Sequence, residues 1–189
     1  MQATESILDT QRHANDGATR LLDGLRPEHL TQPTPCPDWD VRGLLNHLVF
    51  LHSATVATVA GEPMPDGEAD FVGSDPIAAT KSAMAASADA LARPGVLAQT
   101  FQMPWGEMSG DGLAGILMMD TVIHGWDLAK ATDQLAQLDG DLCEMVLDRG
   151  RLMMTDEYRG PGRGFGPEIA VPADASACDR LAGFYGRQP

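Results

Sequence analysis

The stretch MMDTVIHGWDLA, Met118 to Ala129, raises the question that decides the fold. Leu113, Leu117, Asp120, His124 and Leu128 recur at spacings of four, three, four and four, so they share one face of a helix. A stripe of that kind faces a core. A carboxylate and an imidazole in its middle need hydrogen-bond partners or a chemical task, because burying polar groups unpaired is costly.

The bulk of the chain frames that question. Its 189 residues are read as a single domain, 1–189. A chain of that size buries roughly 70% of its unfolded surface and needs no disulfides for stability. With 43% hydrophobic and 21% charged residues it has the composition of a globular protein. The net charge of −14 argues against nucleic acid and anionic membranes as partners, since both need basic surface. Cys36, Cys143 and Cys178 are widely spaced, odd in number and without a CxxC pair, which points to a reducing compartment. The N-terminus lacks the basic and apolar regions of a secretory signal. No segment approaches the ~20 apolar residues of a membrane span. The expected location is cytoplasmic.

Moving outward, Ile7, Gln11, Ala14, Ala18, Leu21, Leu22 and Leu25 predict a first helix over about residues 3 to 25. Pro27, Pro33, Pro35 and Pro37 make the next segment an extended loop. A second helix starts near Asp38 as N-cap, carries Val41, Leu44, Leu45, Leu48, Thr55, Val56 and Val59, and stops at Gly61 and Pro63. A third runs from Pro76 to about Ala92. Leu97 to Met108, around the PWGE turn, reads as a short β-hairpin. Further helices are expected over about Ser109 to Thr132, Asp139 to Tyr158 and Ala175 to Tyr185. The glycine-rich run RGPGRGFG lacks the lysine and strand-to-helix setting of a phosphate-binding loop and reads as connection. The fold class is therefore all-α, a four-helix bundle with a short β-hairpin and an extra C-terminal helix.

Asp120 and His124 project side by side, Cβ atoms roughly 6 Å apart, as one helix offers two ligands to one metal. A catalytic metal usually has three protein ligands and one open position. A third ligand must come from another helix. On the second helix His52 lies on the apolar stripe and His47 at its edge, and spacing does not choose between them. Taken alone, an Asp–His pair at this spacing is more often a helix pair or a core hydrogen bond than a metal site. Cys36 precedes a helix start, where a thiol can be activated, yet its flanking prolines favour a fixed turn. Trp39, Trp105 and Trp126 read as core or pocket walls, and Arg42 is a further pocket candidate. No GxSxG elbow supports a Ser-His-Asp arrangement.

Two segments, TPCPDWDVRGLLNHLV (Thr34 to Val49) and DTVIHGWDLAKATDQ (Asp120 to Gln134), change these odds. Together they resemble the signature segments of the DinB-like group that includes the N-terminal, metal-binding domain of mycothiol-dependent maleylpyruvate isomerase. The likeness is nearest to single-domain, mostly actinobacterial members and covers nearly the whole chain. It implies a divalent metal between helices of a four-helix bundle, with His47, Asp120 and His124 as ligands. It also implies a low-molecular-weight thiol (mycothiol, bacillithiol or glutathione), which the metal activates as thiolate.

Zinc is the first expectation for the metal, with nickel, iron or manganese as alternatives. The expected activity is thiol-dependent transfer or isomerisation on a small electrophilic substrate; the alternative is a non-catalytic metal- or thiol-binding module for storage or stress. The sequence departs from the isomerase in having Asp120 where that enzyme has glutamate. It also has no counterpart of the C-terminal domain that supplies a catalytic arginine, so maleylpyruvate isomerisation itself is not expected. Asp127 is a candidate to orient the His124 ring. A homodimer is compatible with this reading.

Overall fold

A computed structural model of the chain describes residues 6–37, 39–160 and 165–189. Among them are the helices α1 (Ile7–Asp23), α2 (Val41–Ala60), α3 (Pro76–Leu91), α4 (Gly110–Ala131), α5 (Gly140–Met153) and α6 (Ala177–Phe184). One antiparallel hairpin, β1 (Thr100–Met103) and β2 (Gly106–Ser109), pairs Phe101 with Met108. The expected all-α class with a short hairpin is what the chain adopts.

Each helix begins where a short polar side chain accepts from an otherwise unpaired backbone N–H. Ser6 serves α1, Asp75 serves α3, Ser109 serves α4, Asp139 serves α5 and Ser176 serves α6. For α2 the cap is Asp40, whose Oδ1 accepts from Gly43 N at 2.8 Å. The expected cap Asp38 lies outside the described residues. At the other end of α2, Gly61 takes φ +71°, the left-handed conformation that glycine adopts without steric cost. The fifth helix is shorter than its periodicity predicts: it stops at Met153, and Asp156–Tyr158 forms a separate turn of 3₁₀ helix. Within the glycine-rich run, residues 161–164 lie outside the described residues, while Arg159 and Phe165 on either side form a bridge.

The four helices α1 to α4 form the bundle: α1 lies against α3 and α4, and α2 against α3 and α4. The pair α5 and α6 then covers the outer side of α4, where Met118, Val122, Ile123 and Trp126 meet Leu142, Val146, Leu147 and Leu181. Helix α4 is consequently buried nearly all round, which is the setting for a helix apolar on every side. Trp126 is core, 1% exposed, with its indole N–H donating to Asp179. Trp105 stands on the hairpin turn, 64% exposed, and is not core.

Two expectations are corrected by the packing. Helix α2 is long and apolar enough to cross a membrane by length and composition, although no such segment was expected. Its apolar face is engaged inside the bundle, where Val41, Leu44, Leu45 and Leu48 pack with Leu21, Leu22 and Met84. The cysteines do form a pair: Cys143 of α5 and Cys178 of α6 are disulfide-bonded, with Cα atoms 5.0 Å apart. They lie 35 residues apart in sequence, and it is the docking of α6 on α5 that brings them together.

Candidate metal centre

The middle of α2 and the middle of α4 meet at three side chains. His47 Nε2 lies 3.5 Å from Asp120 Oδ2, and His124 Nε2 lies 3.5 Å from Asp120 Oδ1. The two imidazole rings are 5.0 Å apart, centre to centre. One ligand atom from each of the three residues falls within 4.8 Å of the others, close enough to hold a single metal ion.

Electrostatics sharpen that geometry. Burial pushes the Asp120 carboxyl up, but the neighbouring imidazoles, His124 first and then His47 and His52, outweigh it and hold the pKa below the usual carboxylate value. One of its buried oxygens, Oδ2, has no hydrogen-bond partner among the described residues. On the far side of the His124 ring, Nδ1 is 2.9 Å from Asp127 Oδ2. Asp127 is fully buried. Desolvation raises its pKa, while His124 and Arg187 more than offset this and keep it ionised.

An ionised Asp127 can only accept, so Nδ1 of His124 carries a proton and donates to it. His124 Nε2 is left facing the carboxylate of Asp120 at 3.5 Å. With Nδ1 engaged, Nε2 is the His124 nitrogen available as a ligand, and a donor set of two imidazoles and a carboxylate suits a divalent metal. The side chains fit the metal that the sequence resemblance implies.

Arg187 completes the arrangement. It is 6% exposed, donates to both oxygens of Asp127 at 3.0–3.3 Å and to Tyr185 O at 2.9 Å. Burial pulls its pKa down, and the Asp127 carboxylate more than restores it. The backbone beyond α6 explains how it arrives there. Gly186 takes φ +82°, its N–H donates to Gly183 O, and Arg187 N–H donates to Ala182 O, a reversal that turns Arg187 back under the bundle. Sequence reasoning passed over this residue. The signal available was a glycine followed by arginine just past a helix end.

The turn before α2 supplies a wall. Trp39 stacks on His47 at 4.4 Å and meets His124 edge-on at 5.6 Å. Thr34 Oγ1 donates to Trp39 O at 2.7 Å, and Cys36 O accepts from Trp39 N, so Cys36 acts as a residue of the turn that fixes the indole. Arg42 does not line the site; its guanidinium donates to Asp70 and Gly73 O and tethers the loop after α2.

The remaining histidines lie elsewhere. His52 is buried, with Nδ1 2.7 Å from Ser87 Oγ, and desolvation lowers its pKa to about 4. His13 pairs with Asp139 at 2.9 Å, and His29 Nδ1 accepts from Arg26 N.

Against known proteins, residues 11–129 match the family model of the mycothiol maleylpyruvate isomerase N-terminal domain. That span contains His47, Asp120, His124 and Asp127, and ends before α5, α6 and Arg187. Two proteins of Mycobacterium tuberculosis, from strains CDC 1551 / Oshkosh and ATCC 25618 / H37Rv and both described as uncharacterized, are each 33% identical over 180 residues, covering 95% of this chain and 97% of theirs. No solved structure matches the chain.

Proposed function

The chain belongs to the mycothiol maleylpyruvate isomerase N-terminal domain family, and from that premise we propose that it is a metal- and thiol-dependent transferase acting on a small electrophile. The observation that carries this reading is the facing of His124 Nε2 and Asp120, with His47 alongside and the other nitrogen of His124 fixed on buried Asp127.

His47, Asp120 and His124 hold the metal, zinc first among divalent candidates. When bound there, it lowers the pKa of a coordinated low-molecular-weight thiol so that the thiolate exists at neutral pH. Mycothiol is the thiol that the family favours, with bacillithiol or glutathione in hosts that make those instead. Asp127 keeps the Nδ1 proton in place and so directs the Nε2 lone pair of His124 inward. Arg187 holds Asp127 ionised and immobile. Trp39 covers the imidazoles and limits water at the sulfur. The thiol sulfur, its proton lost to solvent, forms the new bond to the electrophilic carbon, and the leaving group departs with its bonding pair.

Steady-state conjugation of an alkyl halide with each thiol, in metal-loaded and metal-free protein, tests the reading. Turnover that needs both metal and thiol is expected. Stoichiometric metal and thiol binding without conjugation would assign the chain instead to a storage or stress-related binding module.

A further inference from the structure

The faces of α2 and α4 that carry the candidate ligands also line a cavity one helical turn away. From His47, Leu51 and Ala54 continue along the same face of α2; from Asp120, Leu117 and Leu113 continue along the same face of α4. One helical turn, roughly 5.4 Å, separates the ligands from the first of these. There they enclose a cavity of about 110 Å³ that the hairpin closes with Met103 and Trp105. Its floor is fixed, Leu117 and Leu113 being 2% and 4% exposed. Thr55 adds no polarity, because its Oγ1 donates to Leu51 O at 3.1 Å. Among the described residues, no charged side chain lines the cavity. Met64 and Met103 also border the wider cleft between the end of α2 and the hairpin.

We propose that this cavity binds the uncharged hydrocarbon end, alkyl or aryl, of the electrophile whose reactive carbon lies at the metal centre. The proposal rests on the transferase reading for what the centre does. Its own ground is the lining of the cavity and its place one turn from the ligands on the same two helices. An anionic end would enter an apolar pocket of a protein with a net charge of −14, and a cationic end would find no carboxylate there. The thiol is excluded as occupant on the same ground, since sugar- and peptide-bearing thiols are polar. A volume of about 110 Å³ holds a chain of roughly four carbons, taking about 30 Å³ for each group of water's size.

The cavity is tested without metal by titrating primary alcohols from ethanol to hexanol, followed through the methyl resonance of Met103. Affinity is expected to rise about fourfold per methylene as far as butanol and then level off. Ala54→Leu fills the cavity and should weaken butanol by about tenfold or more; Leu113→Ala enlarges it and should move the plateau one or two carbons further, so the proposal stays open to refutation if the first variant fails to fold. Affinity that is flat with chain length, or unchanged in both variants, overturns it.

The link to the metal is read by calorimetry of zinc-loaded protein with alkyl hydroxamates of the same lengths, which anchor on the metal and extend a tail. The same rise with length is expected, together with binding weaker by about tenfold or more when the tail ends in a carboxylate. A rise with alcohols but none with hydroxamates detaches the cavity from the site and overturns the proposal. Failure of every hydroxamate to bind would refute the open metal centre instead, while the alcohols still decide the cavity.

Discussion

His47 and His52 stand five residues apart on one helix and live in opposite environments. His52 is enclosed: Ser87 takes its Nδ1, Ser87 in turn donates to Met84 O, and burial holds the ring neutral. His47 faces a carboxylate and a second imidazole across the α2–α4 crevice, under an indole. The packed histidine has Nδ1 answered by Ser87 within the core, while its buried Nε2 has no partner among the described residues. The candidate ligand histidine belongs to a cluster of two imidazoles and a carboxylate that could share one metal ion. Hydrophobic periodicity cannot separate the two, because the residue on the apolar stripe is the packed one and the residue at its edge is the one in the cluster.

The largest effect that would break this contrast is loss of a ligand. His124→Ala is expected to abolish stoichiometric metal binding and conjugation in a protein that keeps its helical circular dichroism, whereas His52→Gln should retain both. Full activity in the first variant would refute the metal-centred mechanism.

Next comes the support behind His124. Asp127→Ala leaves the Arg187 guanidinium buried without its carboxylate, which should cost about 3–5 kcal/mol of stability in urea unfolding of the metal-free protein. It should also weaken metal binding by about 10–100-fold, because the His124 ring loses its orientation. Adding Arg187→Met should recover much of the stability and none of the affinity. Recovery of both would mean that the pair only packs the core.

A smaller effect belongs to His52 alone. Its folded pKa of about 4 lies below the unfolded value near 6.5, so in that interval the unfolded chain binds more protons. Stability should therefore be full above about pH 6.5 and fall as the pH drops toward 4, by about 3 kcal/mol in all. Urea midpoints at pH 7 and pH 4 measure it. His52→Gln should flatten that part of the profile; if the fall persisted undiminished, the buried neutral ring would not be its source.

The finest test uses the proton dependence of metal affinity. Two neutral imidazoles are needed, so the limiting slope in acid should approach about two log units per pH unit. His47→Gln should reduce it toward about one, and His52→Gln should leave it at about two. The reverse outcome would exchange the roles of the two histidines.

How much of this the chain declares in advance depends on the range of the interaction. The α4 stripe, the proline and glycine stops and the all-α class rest on neighbours within one or two turns, and all were legible. So was the pairing of Asp120 with His124. The choice of His47 required the NHLV and DTVIH segments to be read together as a family likeness, since nothing local distinguishes it from His52. Arg187, the Cys143–Cys178 bond and the early end of α5 were not legible. The first two depend on how α6 docks and on a glycine reversal beyond it. At Met154 the chain turns extended before Thr155, Asp156 and Glu157, and no proline or glycine marks the place.

The Asp127–Arg187 pair also has a consequence in time. Its partners are 60 residues apart, with α5 and α6 between them. At about 5–20 residues per second, a ribosome delivers Arg187 some 3–12 s after Asp127. Until then α4 can dock against α1 and α2 only with a carboxylate sealed in and no guanidinium to meet it. The guanidinium that backs the Asp127–His124 pair is thus a late arrival, whereas the pair itself, three residues apart on α4, needs only that helix.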